Sequence, residues 1–263
     1  MHIEVQGYFA TAAAVAGTAA AACNGDTLTV KNARIGSKIV LVDAVAFYGS
    51  LGELRVVGPH MNDTTQGIRM PVVPAVSHCL MGGPMGEPMW PQDTLVVTMF
   101  GTAFAAEVDV AGLVFWYEDL PGITARMIDT ATLRTRGVRV VPVNCTIATV
   151  ATGQWGAAEA LNADSDLLRP NTDYALVGGK VSALVGVVGV RSPDWGNVRV
   201  PIPGGIGETR DGSSYLSALS DRTGLPCIPI LNSGNKAGIF VDMLQDEAGV
   251  DSTVSLNLVE LAP

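Results

Sequence analysis

The same order of turn and strand signals occurs twice along this chain of 263 residues. Residues Asn24–Pro74 contain an Asn/Asp turn, a long alternating apolar run, a proline stop, a polar turn and an Arg-x-Pro strand beginning at Arg69. Residues Asn162–Pro203 contain the same signals in the same order, with their Arg-x-Pro strand beginning at Arg199. Self-similarity over so long a stretch constrains the whole fold. It predicts two copies of one β-rich unit in tandem.

The ends of the two copies support this prediction. Residues Val108–Pro121 and Val250–Pro263 share Val, Asp, Glu and Pro at one constant offset, which aligns Glu118 with Glu260. A chance similarity between two β-rich segments is the alternative explanation. The match in register with the upstream segments favours duplication.

The residue composition and the spacing of turn-forming residues predict the fold class. β-Branched residues recur in short runs bounded by Gly, Pro, Asn and Asp, with seven or eight such runs in each half, as in β-sandwiches and barrels. In the second half, these runs include Tyr174–Val177 and Lys180–Val190. Eight antiparallel strands in two facing sheets form a jelly roll, although another sandwich would also fit. We therefore predict an all-β protein: a unit at 1–121, a linker at 122–137, and a unit at 138–263, both jelly-roll-like β-sandwiches.

Helix signals are few. Residues Ser213–Arg222 have a serine at the start, apolar residues on one face, and Gly224 followed by Pro226 as a stop. Residues Trp155–Leu161 could form one further turn. One or two short helices are therefore expected.

The residues that carry common enzyme chemistry are scattered. The three histidines, His2, His60 and His78, form no His-x-His pair, so a metal site of the cupin kind is not expected. The four cysteines form no Cys-x-x-Cys pair, and the chain has no Gly-x-Ser-x-Gly motif. We predict no catalytic residue, no metal and no cofactor, and hence no enzyme.

Charge and hydropathy exclude further classes of partner. The formal net charge is −9, and Arg134, Arg136 and Arg139 are the nearest approach to a basic cluster, so specific nucleic-acid binding is not expected. The Ala-rich segment Tyr8–Cys23 is too weakly apolar for a membrane span, and no positive residue precedes it as in a secretory signal. These features favour assembly in the cytoplasm.

One loop is unusual for a solvent-exposed segment. Residues Cys79–Pro91 are rich in Met, Pro and Gly and carry almost no charge. Met and Trp are common at protein–protein contacts, because they offer large and adaptable apolar surfaces. We predict a subunit contact at Met81, Met85, Met89 and Trp90.

The tandem sandwiches, the low fraction of charged residues (16%) and the Met/Pro loop resemble bacteriophage capsid proteins of the jelly-roll type. Both double jelly-roll coat subunits and small cement or decoration proteins belong to this class. The resemblance is architectural and transfers no functional residue. It implies a virion protein that forms or reinforces a capsid shell, with copies of itself (a trimer favoured) and other capsid proteins as partners.

Two other classes remain open at this point. One is a carbohydrate-binding or other small-molecule-binding β-sandwich, against which the low aromatic content (6%) argues. The other is an oligomeric scaffold outside any virus.

Overall fold

A computed structural model describes residues 1–11, 20–22, 24–25, 29–47, 51–61, 67–71, 78–80, 86–101, 108–147, 154–156, 159–161, 166–181, 185–204, 212–245 and 252–263. The strands of the first half are β1 (His2–Thr11), β2 (Ala20–Ala22), β3 (Asn24–Gly25), β4 (Ile39–Phe47), β5 (Leu51–Val57), β6 (Ile68–Pro71), β7 (His78–Leu80), β8 (Glu87–Met89), β9 (Val96–Gly101) and β10 (Val108–Tyr117).

The remaining elements include two α-helices, α1 (Thr130–Arg136) and α2 (Tyr215–Thr223). The strands of this part are β11 (Met127–Ile128), β12 (Gly137–Ile147), β13 (Glu159–Ala160), β14 (Asp173–Val181), β15 (Val185–Arg191), β16 (Val200–Pro203), β17 (Ile228–Asn232), β18 (Phe240–Gln245) and β19 (Ser252–Leu261).

The first unit consists of two antiparallel sheets. Sheet 1 has the strand order β3-β1-β10-β4-β7, with β8 also paired to β4, and sheet 2 has the order β2-β9-β5-β6. With the eight main strands lettered B to I in chain order, sheet 1 is B-I-D-G and sheet 2 is C-H-E-F. This strand order is that of a jelly roll, so the predicted fold class is confirmed for the first unit.

The second unit repeats this topology. Sheet 3 has the order β11-β17-β14-β19-β12, and sheet 4 has the order β13-β18-β15-β16. In the same lettering, sheet 3 contains the B, I, D and G strands, which are β12, β19, β14 and β17. Sheet 4 contains the C, H, E and F strands, which are β13, β18, β15 and β16. The protein is therefore all-β, with two jelly-roll units in tandem.

Two β-bulges occur at corresponding places in the two units. In each unit, the D strand has one extra residue relative to the I strand. The extra residue is Val42 of β4, opposite β10, in the first unit and Val177 of β14, opposite β19, in the second. The E strand has one extra residue relative to the H strand, at Gly52 and at Gly186. A bulge inserts a residue at a defined point of the ladder. The shared bulges therefore align the units residue by residue, with Phe115 corresponding to Leu258.

The two units have unequal cores. The interior of the first sandwich is a cluster of its own, which includes Leu41, Leu54 and Phe115. The interior of the second sandwich is continuous with apolar residues from the outer face of sheet 1, among them Val5 and Trp116. The junction between the units is therefore packed as a core.

Residues 122–137, the predicted linker, contain β11 and α1. Strand β11 pairs with β17 of the second unit, and Asp129 caps α1 by accepting a hydrogen bond from the Thr132 N–H. Neither element was predicted. This short segment lacks the long apolar periodicity by which a helix is recognised.

The predicted helix after Ser213 is confirmed as α2, which ends at Gly224 in the left-handed conformation. The predicted turn of helix at Trp155–Leu161 is wrong, since Trp155 forms a β-bridge with Leu244 and Glu159 lies in β13. Among the described residues, no helix is both long and apolar enough to cross a membrane.

Candidate assembly surfaces

The outer face of sheet 1 packs on the outer face of sheet 4 through a pair of glycines. Gly7 of β1 lies directly opposite Gly112 of β10. A Cβ atom on Gly112 would lie 2.7 Å from Val5 Cγ2 and 3.1 Å from Cγ2 of Val187 in the second unit. A Cβ atom on Gly7 would lie 2.8 Å from the Trp155 ring. The missing side chains therefore let the second unit approach the sheet closely.

A buried hydrogen bond joins the two units beside this pair of glycines. Asp43 of β4 has no exposed surface, and its Oδ2 accepts a hydrogen bond of 2.7 Å from the hydroxyl of Tyr215 at the start of α2. Burial, and then the nearby Asp43 carboxylate, raise the pKa of Tyr215 well above its ordinary value. The phenol therefore stays protonated and remains the donor.

Two further hydrogen bonds cross the junction. The backbone N–H of Val5 donates to the carbonyl oxygen of Arg199 at 2.8 Å. The indole Nε1 of Trp116 donates to the carbonyl oxygen of Pro226 at 3.0 Å. With the Asp43 contact, these three polar ties hold the units in one relative position.

A cleft of about 450 Å³ lies at the margin of the junction, between β1 and the segment that joins β15 to β16. On one side, the Nε atoms of Arg191 and Arg199 lie 3.4 Å and 3.0 Å from Asp242 Oδ2. Burial raises the pKa of the Asp242 carboxyl, although both arginines oppose the shift. The guanidinium of Arg199 also stacks on Trp155, 4.3 Å from the ring centre. The cations of this cleft therefore already have partners within the chain.

A buried polar cluster lies under the other side of the cleft. His2 and Glu4 point into the first sandwich, with Nε2 of His2 3.6 Å from Oε2 of Glu4, and Lys31 contacts the same carboxylate. Burial lowers the pKa of His2 below its ordinary value of 6.5, more than Glu4 raises it.

The buried histidine predicts a pH dependence of stability. Because the unfolded chain takes up the His2 proton more readily, the free energy of unfolding should fall as the pH drops below 6.5, by up to about 1.4 kcal/mol per pH unit. His2→Gln should flatten this slope in urea titrations between about pH 5 and pH 7. His60→Gln, at a half-exposed histidine, is the control. Equal slopes in wild type and His2→Gln would contradict the assignment.

The bulge alignment shows that β12, the counterpart of β1 in the second unit, exposes the positions that β1 buries in the junction. Val140, Pro142 and Asn144 of β12 take the positions of Ile3, Val5 and Gly7 in β1. The β1 residues are buried, whereas all three β12 residues are exposed, Val140 by 61%.

The predicted contact residues are dispersed. Met81 and Met85 lie outside the described residues. Met89 of β8 is buried in the core of the first unit, while Trp90 is 45% exposed. The Trp90 ring lies 4.8 Å from the ring of His60, whose Nδ1 is 2.8 Å from Asp93 Oδ1. The contact at this loop stays a prediction.

The other residues considered for chemistry are placed as follows. Cys145 and Cys227 are buried free thiols, and burial raises the pKa of Cys227 to about 12. Arg134 and Arg139 contact Asp221 and Glu260 respectively. Within the described ranges, no three His, Cys, Asp or Glu side chains are grouped so as to hold a metal ion.

Sequence reasoning missed the residues of the junction. The signals available were an aspartate inside an apolar run (IVLVDAVAF) and a glycine in the middle of each of two long strands. A buried polar residue or a strand glycine often marks a close contact.

No family model matches the chain, and no curated protein matches it. Among solved structures, the chain is similar to the major capsid protein P2 from bacteriophage PM2, at 7% identity and a TM-score of 0.24, over 100% of this chain and 98% of that chain. It is also similar to the STIV MCP, at 9% identity and a TM-score of 0.22, over 100% and 98% of the two chains. At these TM-scores, the fold assignment rests on the strand order of the two units.

Proposed function

We propose that this chain is a non-enzymatic structural subunit of a bacteriophage capsid shell, acting as a coat or cement protein through contacts with copies of itself. The observation that carries the proposal is the junction between the units. It joins two different faces of the same fold, the outer face of sheet 1 and the outer face of sheet 4. On the related face of sheet 3, Val140 and Pro142 of β12 are exposed, and on that of sheet 2 Val96 is exposed, so both faces offer apolar surface to a neighbouring chain.

A contact between two different faces can be repeated from chain to chain. Such heterologous contacts close into a ring when the rotation permits, and otherwise continue as a filament. A trimer would form a pseudo-sixfold ring of alternating first and second units, a shape that packs into a hexagonal lattice. Burial of the uncovered faces in a lattice would also suit a chain with only 16% charged residues.

The carbohydrate-binding alternative has weaker support. An open aromatic ring is the usual platform for a sugar, but the exposed Trp90 ring is partly covered by His60 and the Trp155 ring is covered by Arg199.

If the chain is a coat protein, the purified chain should associate with itself. Native mass spectrometry and electron microscopy should show trimers, or sheets and shells built from them. A cement protein would instead remain small when alone and bind only to preformed shells. A chain that stays monomeric when concentrated and binds no shell would contradict the proposal.

A further inference from the structure

We propose that His2, Glu4 and Lys31 form a pH-sensitive latch on the cleft between the two units. When His2 is neutral, the latch is closed: the buried Glu4 carboxylate holds the Lys31 ammonium group and so fixes residues 31–34. When His2 takes up a proton from the solvent, Glu4 binds the imidazolium and Lys31 is released. The latch lies within one chain, so it goes beyond the proposed function and does not depend on assembly.

The contact between Lys31 and Glu4 allows one partner to leave without the other. The ammonium group of Lys31 donates a hydrogen bond to Oε2 of Glu4, across 27 residues of sequence. The Glu4 side chain is 3% exposed and the Lys31 side chain is 42% exposed. The carboxylate is therefore fixed inside the sandwich, whereas the lysine reaches solvent. Both residues line the cleft, so departure of Lys31 alters its wall.

The chain is firmly anchored just before residues 31–34. The backbone N–H of Val30 donates to the carbonyl oxygen of Asp93 at 2.8 Å, and the carbonyl oxygen of Val30 accepts from the N–H of Gln92 at 2.9 Å. Val30 is also buried in the core of the first unit. Movement that begins at Lys31 should therefore stop at Val30.

Residues 31–34 themselves have weaker attachments. The N–H of Lys31 lies 3.4 Å from the Tyr117 hydroxyl, and the N–H of Arg34 lies 3.5 Å from the carbonyl oxygen of Asp119. Both distances exceed the usual limit of about 3.2 Å for an N–H···O hydrogen bond. Apart from the buried methyl group of Ala33, the Lys31–Glu4 contact is thus the main attachment of this segment.

His2 is the residue that responds to pH. Its side chain is 1% exposed, and among the described residues neither ring nitrogen has a hydrogen-bond partner. Its Nε2 lies 3.6 Å from the same Oε2 atom of Glu4 that Lys31 contacts. A proton on the ring creates a buried positive charge, which needs a hydrogen-bonded anion as its partner. A shift of about 1 Å brings Glu4 to the distance of a charged hydrogen bond.

One carboxylate then serves two cations. The Lys31 ammonium group, which faced a full negative charge, now faces a carboxylate that the imidazolium neutralises. Because ion pairs that reach solvent stabilise only weakly, this loss of attraction favours hydration of the lysine over the contact. Protonation of His2 therefore releases Lys31.

The titratable and charged groups around His2 set the direction of the switch. Burial lowers the pKa of His2 most, Glu4 opposes this, and Lys31 and the amino group of Met1 lower the pKa further. The Tyr117 ring, stacked 6.3 Å from His2, keeps its proton because burial and Glu4 raise its pKa. Burial raises the pKa of Glu4, but His2 and Lys31 lower it more, so the carboxylate stays ionised in mild acid. The latch is therefore closed at neutral pH and opens below pH 6.5.

Nuclear magnetic resonance of the full chain tests the latch. The ring signals of His2 and the amide signal of Lys31 should titrate with one midpoint below pH 6.5. Hydrogen exchange of the Lys31 amide, corrected for the intrinsic effect of pH, should accelerate about tenfold between about pH 7 and pH 5. The amides of Val30 and Gln92 should keep their protection. Equal acceleration at all three amides would mean global unfolding and would contradict a local latch.

Three variants separate the roles of the side chains. His2→Gln removes the titrating group, so the Lys31 amide should no longer respond to acid. Lys31→Met keeps the apolar stem without the charge, so this amide should exchange at neutral pH as fast as it does in acidified wild type. His60→Gln is the matched control and should behave like wild type, since His60 binds the Asp93 carboxylate beside the Val30 anchor. A response that survives His2→Gln, or a Lys31 amide that stays unchanged while His2 titrates, would overturn the inference. So would a His2 ring that takes up no proton before the chain unfolds.

Discussion

Gly112→Val is expected to lower the free energy of unfolding by about 3 kcal/mol. The new Cβ atom would lie 2.7 Å from Val5 Cγ2 and 3.1 Å from Val187 Cγ2, between two strands that belong to different units. Neither neighbour can withdraw freely, because Val5 and Val187 are both buried in the packed junction. The gain in strand propensity from glycine to valine recovers less than about 1 kcal/mol.

The fold supplies a matched control for this substitution. Ser255 of β19 corresponds to Gly112 in the bulge alignment, and its cross-strand partner Asn144 corresponds to Gly7. Since no second unit of the same chain covers Ser255, Ser255→Val should change stability by no more than about 0.5 kcal/mol. Both variants would be compared by guanidinium unfolding in dilute solution. Equal losses at the two positions would show that the junction is not the cause.

Tyr215→Phe is expected to destabilise the protein by about 1.5–3 kcal/mol, the range for a hydrogen bond to a charged group. The substitution leaves the Asp43 carboxylate, which has no exposed surface, without the hydroxyl that lies 2.7 Å from its Oδ2. The amide N–H of Ala44 still donates to the other oxygen at 2.9 Å, so the carboxylate keeps part of its stabilisation.

A double-mutant cycle with Asp43→Asn separates this hydrogen bond from general effects of the substitution. In the Asp43→Asn background, loss of the Tyr215 hydroxyl should cost only about 1 kcal/mol, as for a neutral pair. The coupling would be measured from the unfolding free energies of the wild type, the two single variants and the double variant. Strictly additive losses would mean that the two side chains do not interact.

The class of the protein could be predicted because its signals are local. Short β-branched runs between Gly, Pro and Asn turns define strands wherever they occur, and Ser213, Gly224 and Pro226 define the ends of a short helix. The order of these signals was also enough to predict two jelly-roll-like units. None of this required knowledge of which strands pair.

The residue-level correspondence between the units could not be read in the same way. The constant offset of the sequence comparison aligns Trp116 with Leu258, but Trp116 lies on the outer face and Leu258 in the interior. The shared bulges align Phe115 with Leu258 instead, one residue away. A shift of one residue exchanges the two faces of a strand, and a bulge leaves no trace in an alternating pattern. For the same reason, the sequence pattern predicts a break at Gly178, although β14 continues to Val181.

The sequence by itself determined the strands and their turns, and it predicted their repetition, since these signals depend on neighbours along the chain. Only the tertiary structure decided which apolar face is covered. Val5 and Pro142 occupy the same position in two alternating strands, yet Val5 is buried and Pro142 is exposed. Their exposure depends on a sheet that is distant in sequence, and the glycines Gly7 and Gly112 acquire their role only when that sheet packs against them.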